Sequence, residues 1–218
     1  MKRRRFGRPP QELAGEVDER ILDAARRVFL ERGLGGASVD EIARLAHAGK
    51  PTIYARFPTK EALFKAVASR NAANVRARFS SEAPTGATIE ERLSGVGENI
   101  LERLFASDAV DFMRLSIAEA RRFPELVNVG RMARERGAEV VTGILRDVAA
   151  SDEIGRFPAF APTRLTATTQ FFLDLVVARL LMRALFGEDL RKLRAEIHAH
   201  VASSVAFFLA ACRHSGAD

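Results

Sequence analysis

Apolar residues recur along this chain at steps of three and four, and no stretch of useful length alternates as a strand would. Ile21, Ala24, Ala25, Val28 and Phe29 mark one stripe, which predicts a helix from Glu16 to Arg32 closed by Gly33. Gly33-Leu34-Gly35-Gly36 then reads as a connector. Val39, Ile42, Ala43 and Ala46 form a second, short stripe, and Ser38 with Glu41 frames its start as a capping box. His47-Ala48-Gly49 predicts a break, on the ground that glycine tolerates backbone angles other residues avoid. Lys50 to Phe57 restarts the helix with Pro51 in its first turn, where a missing N–H costs nothing. Thr59 is placed to cap a fourth helix carrying Leu63, Phe64, Val67 and Val75.

Further on, Ser81 to Thr88, with Pro84 and Gly86, reads as a loop, and Ile89 to Phe105 as a helix. Asp108 can cap a helix to about Phe123, and Pro124 starts another ending near Ala150. Ser151 to Pro162, holding Gly155, Pro158 and Pro162, is a second loop. Two long helices follow, at 163–186 and 190–212, separated by Gly187-Glu188-Asp189. The expectation is an all-α chain of about nine helices without internal repeats. Residues 1–14 read as a disordered basic arm, 15–75 as a small helical domain, and 76–218 as a larger helical one, with the fourth helix as a rigid connector.

Two helices as short as 38–57 cannot stand alone, so this hairpin is a tool mounted on the two longer helices around it. Ile53 and Phe57 share one face and point to the domain core, which leaves Pro51 and Ala55 outward, flanked by Thr52 and Tyr54. That outward face is small and uncharged at its centre, suited to a groove floor and thymine methyls. Lys50 stands at its N-terminal end, and Arg56 is long enough to reach a phosphate or a base edge.

Charge supports the reading. Residues 1–80 hold 17 Lys and Arg against 9 Asp and Glu, and the rest holds 17 against 19. A basic third joined to a slightly acidic remainder is what phosphate binding by one domain predicts. Lys2, Arg3, Arg4, Arg5 and Arg8 crowd the first eight residues, and Gly7-Arg8-Pro9 resembles the arginine hooks that enter narrow minor grooves, with Arg5 and Arg8 as the arm's candidates.

From Arg20-Ile21-Leu22-Asp23-Ala24-Ala25 to Phe29, then Gly33, Ser38 to Phe57 and Thr59-Lys60-Glu61-Ala62-Leu63-Phe64, the chain resembles the N-terminal DNA-binding domain of the TetR family of bacterial transcriptional regulators. The resemblance covers about residues 15 to 75. It implies that Ser38, Tyr54 and Lys60 hold phosphates, and that Lys50, Pro51, Thr52, Ala55 and Arg56 belong to the reading helix. Three departures bear on the operator. The turn, usually Ala-Gly-Val-Ser, is Ala46-His47-Ala48-Gly49; Pro51 replaces a common glycine; and Ala55 stands where a larger side chain is frequent.

The resemblance also implies that the two terminal helices, 163–186 and 190–212, pair with their symmetry mates as a four-helix bundle. Phe171, Phe172, Leu175, Val176, Leu180, Met182 and Phe186 make the first of them apolar on more than one face, which calls for partners on more than one side. Ile117-Ala118-Glu119-Ala120-Arg121-Arg122-Phe123-Pro124-Glu125-Leu126 is similar to an AefR-like C-terminal domain. In such domains a cavity takes a small molecule; here Phe112, Leu115, Phe171, Phe172, Leu175 and Met182 are candidate walls, and Glu119, Gln170 and Asp174 candidate polar anchors.

The sequence argues against other classes. His47, His198, His200 and His214 form no catalytic or metal-ligand spacing, and Glu196 with His200 reads as a surface ion pair. Neither an enzyme nor a cofactor or metal site is expected. The N-terminus lacks the apolar segment of a signal peptide, and Asp174, Arg179 and Arg183 interrupt the greasiest stretch, so no membrane span is expected either. One cysteine, Cys212, fits a reducing cytosol, and the DNA-binding reading puts the protein there on the nucleoid. The expected activity is a homodimeric repressor on double-stranded palindromic operator DNA, released by an unknown apolar or amphipathic ligand. The alternative is a regulator of the same fold without a small ligand, acting as an activator or through a protein partner.

Overall fold

The computed structural model describes residues 11–79, 85–106, 108–151 and 156–214. Among them every regular element is helical: α1 Gln11–Gly36, α2 Val39–Leu45, α3 Lys50–Arg56, α4 Lys60–Phe79, α5 Ile89–Ala106, α6 Ala109–Glu119, α7 Glu125–Ser151, α8 Leu165–Leu173, α9 Arg179–Leu185 and α10 Leu190–His214. A π-helical turn, Asp174–Ala178, joins α8 to α9 as one long run, close to the span expected from sequence. Helix α1 starts at Gln11, so the last residues assigned to the arm are helical. Arg5, Arg8, Pro84, Gly155 and the side chain of Val75 lie outside the described residues. Helix α6 stops at Glu119, short of Phe123, where the amides of Ala120 and Arg122 bond carbonyls three residues back, those of Ile117 (3.2 Å) and Glu119 (3.0 Å). Pro124 favours that stop by disfavouring helical backbone at the residue before it.

Two compact units result, one of Met1–Arg70 with Leu115–Leu126, the other of Asn71–Arg114 with Val127–Asp218. The division falls within α4, ahead of the 75/76 boundary expected, and it assigns the tail of α6 to the first unit.

In the first unit, α1 and α4 bury Ile21, Ala25, Val28, Phe29, Leu63, Phe64 and Val67, and the rings of Phe29 and Phe64 meet edge to face at 5.1 Å. An aromatic pair in that geometry adds about 0.5–1.5 kcal/mol beyond its buried area. Ile42, Ala46 and Ile53 bring the short helices onto this core. Gly33, at φ 67°, ends the regular part of α1, as its position in the apolar pattern predicts. Arg70, largely buried, ties α4 to α1 through Glu19 (2.8 Å) and Asp23 (2.7 Å).

In the second unit α5 and α10 run antiparallel, with Glu98 opposite His198 (2.7 Å) and Glu90 opposite Arg213 (3.6 Å). Gly97 lets them close: a Cβ there would lie 2.6 Å from Val176 Cγ1 and 2.9 Å from Val201 Cγ1. The π turn breaks the regular helical bonding of its own carbonyls. Helix α10 supplies partners, Ser204 Oγ donating to Leu175 O (3.2 Å) and His200 Nε2 to Val176 O (3.0 Å). A carbonyl only accepts, so this His200 carries its proton on Nε2. Between α7 and α8, the buried hydroxyl of Thr142 bonds Ala138 O and Thr169 Oγ1.

The α9–α10 turn is closed by Gly187 at φ 99°, with Gly187 N–H bonded to Ala184 O (3.0 Å) and Glu188 N–H to Arg183 O (3.1 Å), a Schellman pair. Arg183 then forks onto Glu188 and Glu196. Glu196 therefore pairs with Arg183 rather than with His200, whose ring goes to the π turn; from α10 the two side chains serve different neighbours. The guanidinium holds both carboxyls below their ordinary range and is itself raised by them.

Candidate nucleic-acid interface

Helix α2 opens on Ser38, whose Oγ accepts from the amide of Asp40 (3.2 Å). That use leaves the Ser38 O–H as a donor on an exposed corner. The helix ends in a second Schellman pair, Ala48 N–H to Ala43 O (3.0 Å) and His47 N–H to Arg44 O (3.3 Å). The residue carrying the left-handed backbone is His47 (φ 49°), not Gly49. Gly49 has ordinary extended angles (φ −71°, ψ 145°) and serves as the N-cap of α3. The chain must reverse at the first residue past the α2 C-cap, whatever side chain stands there, and that residue is His47. Arg20 of α1 donates to Ala46 O (3.3 Å), satisfying another carbonyl at this helix end.

Helix α3 presents the face its sequence implies. Ile53 is buried and Phe57 half-buried, while Pro51, Tyr54 and Ala55 are exposed and Thr52 lies at the edge. Its only charges are Lys50 in the first turn and Arg56 in the last. Lys50 sits at the end where the helix dipole disfavours a cation, and Asp40 of α2 pairs with it there. Arg56, expected to swing outward, is turned instead to Asp18 of α1, and its Nη1 lies 3.4 Å from Thr52 O.

Lys60 opens α4 beside the same surface, and its ammonium donates to Gly35 O (3.3 Å) and Ala37 O (3.1 Å). Thr59 caps that helix through the amide of Ala62 (3.0 Å). An ammonium has three donors, so Lys60 both ties the α1–α2 connector and keeps one N–H for a phosphate. Asp18, Arg20 and His47 are parts of this surface that periodicity did not reveal. Asp18 and Arg56 are far apart in sequence and share no helical register, so nothing local marks them as a pair.

The candidate ligand residues differ in burial and are divided between the two units. Leu115 and Glu119 belong to the first unit and the others to the second. Phe112 and Phe172 are fully buried, Phe172 edge to face with Phe208 at 5.3 Å, and Leu175 is half-buried. Phe171 (66% exposed), Met182 (49%), Asp174 and Gln170 face outward instead. Phe186 (83%) and Phe207 (67%) extend this exposed apolar set. Leu165–Leu185 and Leu190–Arg213 are each long and apolar enough to cross a membrane by length and composition, yet only a third of each such window is buried. Among the described residues no group of three His, Cys, Asp or Glu is placed to hold a metal. Burial pushes the Cys212 thiol up to about 11.

Residues 21–67 match the model of bacterial regulatory proteins of the TetR family, and residues 91–213 match that of the AefR-like transcriptional repressor C-terminal domain. An HTH-type transcriptional repressor of Mycobacterium tuberculosis is 29% identical over 175 residues, covering 80% of this chain and 86% of its own. Among solved structures, a TetR-family regulator from Mesorhizobium loti superposes with a TM-score of 0.80 at 25% identity, covering 90% of this chain and 96% of its own. The flavonoid-responsive regulator FrrA superposes at 0.67 with 26% identity, covering 90% and 97%.

Proposed function

The chain belongs to the TetR family of bacterial transcriptional regulators and is a DNA-binding regulator, and we propose that it is a homodimeric repressor of a palindromic operator, released by a small apolar or amphipathic molecule. The observation that carries this reading is the exposed, nearly chargeless face of α3, with Pro51, Tyr54 and Ala55 outward and Ser38 and Lys60 beside it. A small, flat centre flanked by donors admits close approach to base edges while the flanks hold phosphates. Arg5 and Arg8 of the arm add minor-groove contacts in this proposal.

Dimerisation is proposed through residues 163–186 and 190–212. Phe171, Met182, Phe186 and Phe207 are the kind of exposed apolar side chains that a second copy would cover. The repressor name of the Mycobacterium relative supports the sign of regulation, and the flavonoid response of FrrA supports a small-molecule effector. The effector is proposed to act on the C-terminal unit, where Phe112 and Phe172 are buried and Leu175 is half-buried. The protein is proposed to work in the cytoplasm on the nucleoid.

The test is a gel-shift titration on duplex DNA from upstream of its own gene. An inverted repeat with half-sites about 34 Å apart, or a multiple of that, should bind, with affinity falling steeply as salt rises. Effectors found by thermal shift should release that operator. A flat salt response, or a preference for single strands, refutes the DNA reading; stabilising ligands that leave operator affinity unchanged refute the switch alone.

A further inference from the structure

The two cations of α3 are each neutralised by a carboxylate from an earlier helix, Lys50 by Asp40 of α2 and Arg56 by Asp18 of α1. A helix whose sequence carries two positive charges therefore presents almost none to its surroundings. The Arg56 pair is the tighter of the two, its side chain only 26% exposed against 50% for Lys50. The Asp18 side chain is 42% exposed overall, while its Oδ1, the oxygen facing Arg56, is covered. Arg56 has five donors, and the contacts to Asp18 and Thr52 O do not exhaust them.

We propose that Asp18 is a specificity-determining residue, an internal counter-ion that withholds Arg56 from DNA until a phosphate displaces it. Non-specific binding to duplex DNA comes almost wholly from cations replacing counterions on phosphates. A carboxylate competing for one of those cations weakens binding to any loosely held duplex. On an operator, base contacts hold the head close enough to the backbone for the phosphate to win the guanidinium. Asp18 thus costs affinity chiefly on the wrong DNA and widens the ratio of specific to non-specific binding. The inference rests on α3 being the helix that enters the groove.

The experiment measures binding of the full chain to its operator and to a random duplex of equal length across a salt series. Asp18→Asn should bind random duplex several-fold more tightly at low salt and steepen its log–log salt slope by about 0.9, one phosphate's worth. Operator affinity should gain less, so the specificity ratio falls. In the double variant Asp18→Asn/Arg56→Gln the added slope should vanish. A general increase in positive field would persist without Arg56, and a merely structural tie would lower affinity for both duplexes with no change of slope; either result overturns the proposal. Asp18→Ser, which removes the same charge with a smaller side chain, must reproduce the slope. Ala55→Glu separates the two readings. Loss of operator binding in that variant with an unchanged slope in Asp18→Asn rejects the counter-ion and keeps α3 in the groove, whereas operator binding unharmed by Ala55→Glu rejects the groove reading itself.

Discussion

Two glycines in the same helix make opposite predictions. Gly95 and Gly97 both lie within α5, where replacing glycine by alanine gains about 0.8–1 kcal/mol of helix propensity. At Gly95 the nearest neighbour to an added Cβ is Thr85 O at 4.0 Å, so that gain is unopposed. At Gly97 the Cβ meets Val176 Cγ1 at 2.6 Å and Val201 Cγ1 at 2.9 Å. Carbon atoms prefer about 3.5–4.0 Å, so both contacts overlap by roughly 1 Å. Neither valine can turn away easily, since β-branched side chains in helices have one favoured rotamer. Overpacking of this kind costs about 1–3 kcal/mol, and the net for Gly97→Ala should be a loss of up to about 2 kcal/mol once the propensity gain is subtracted. At about 2–4 °C per kcal/mol for a chain of this size, its melting point should fall by up to about 8 °C while that of Gly95→Ala rises by a few degrees. Circular dichroism melts at matched protein concentration read both. Adding Val176→Ala to Gly97→Ala should cost less than the two changes separately, because the new methyl partly fills the space vacated. A Gly97→Ala protein as stable as Gly95→Ala would refute the close approach of α5 to the π turn and α10.

Two further substitutions test the reversals and the acid limb. At His47 the left-handed angle predicts the stability order Gly at least equal to His, and His above Val, because a β-branched side chain is worse still in that region, with His47→Val losing stability in denaturant titrations; a neutral His47→Val would place the reversal elsewhere. Glu188 and Glu196 are held below their ordinary range by Arg183, so their stabilisation is present above the unfolded carboxylate pKa, about 4.3, and is lost as pH falls through the lower folded values. Arg183→Met should therefore lower the melting point at pH 7 and converge with the wild type at strongly acidic pH, whereas a gap independent of pH would mean that the fork contributes no titratable stability.

The helices were largely legible because burial leaves a periodic trace. Ile21 to Phe29, Ile53 and Phe57, and the caps at Ser38 and Thr59 act within one or two turns, and sequence spacing records such distances. Gly33 was legible for the same reason. Sequence points to Gly49 for the turn because residue type is only a proxy for backbone angle, whereas the hydrogen bonds of α2 assign the left-handed position to His47 by geometry. Pairs such as Arg56 with Asp18, Lys60 with Gly35 O and Ala37 O, and His200 with Val176 O join residues on different elements, and no periodicity connects them. The outward exposure of Phe171 and Met182 has no trace in sequence, because an apolar side chain looks the same there whether it turns inward or outward.

The π turn has a consequence for how this surface is aimed. Phe172, Val176, Leu180 and Ala184 are all buried, at intervals of four. In an ordinary helix each four-residue step overshoots a full turn by about 40°, so three steps would carry the last of them about 120° off the core. The wider turn at Asp174–Ala178 takes up that excess, acting as a phase adjuster between two lengths of otherwise regular helix. The orientation of Met182 and Phe186 relative to Phe171 is thus written in the number of residues between them as much as in their identities. Deleting one residue from that turn would rotate everything downstream by about 100° and offer a different apolar face from nearly the same sequence. Length variation at this one turn is a route by which proteins of this fold can change what they fit without redesigning either helix.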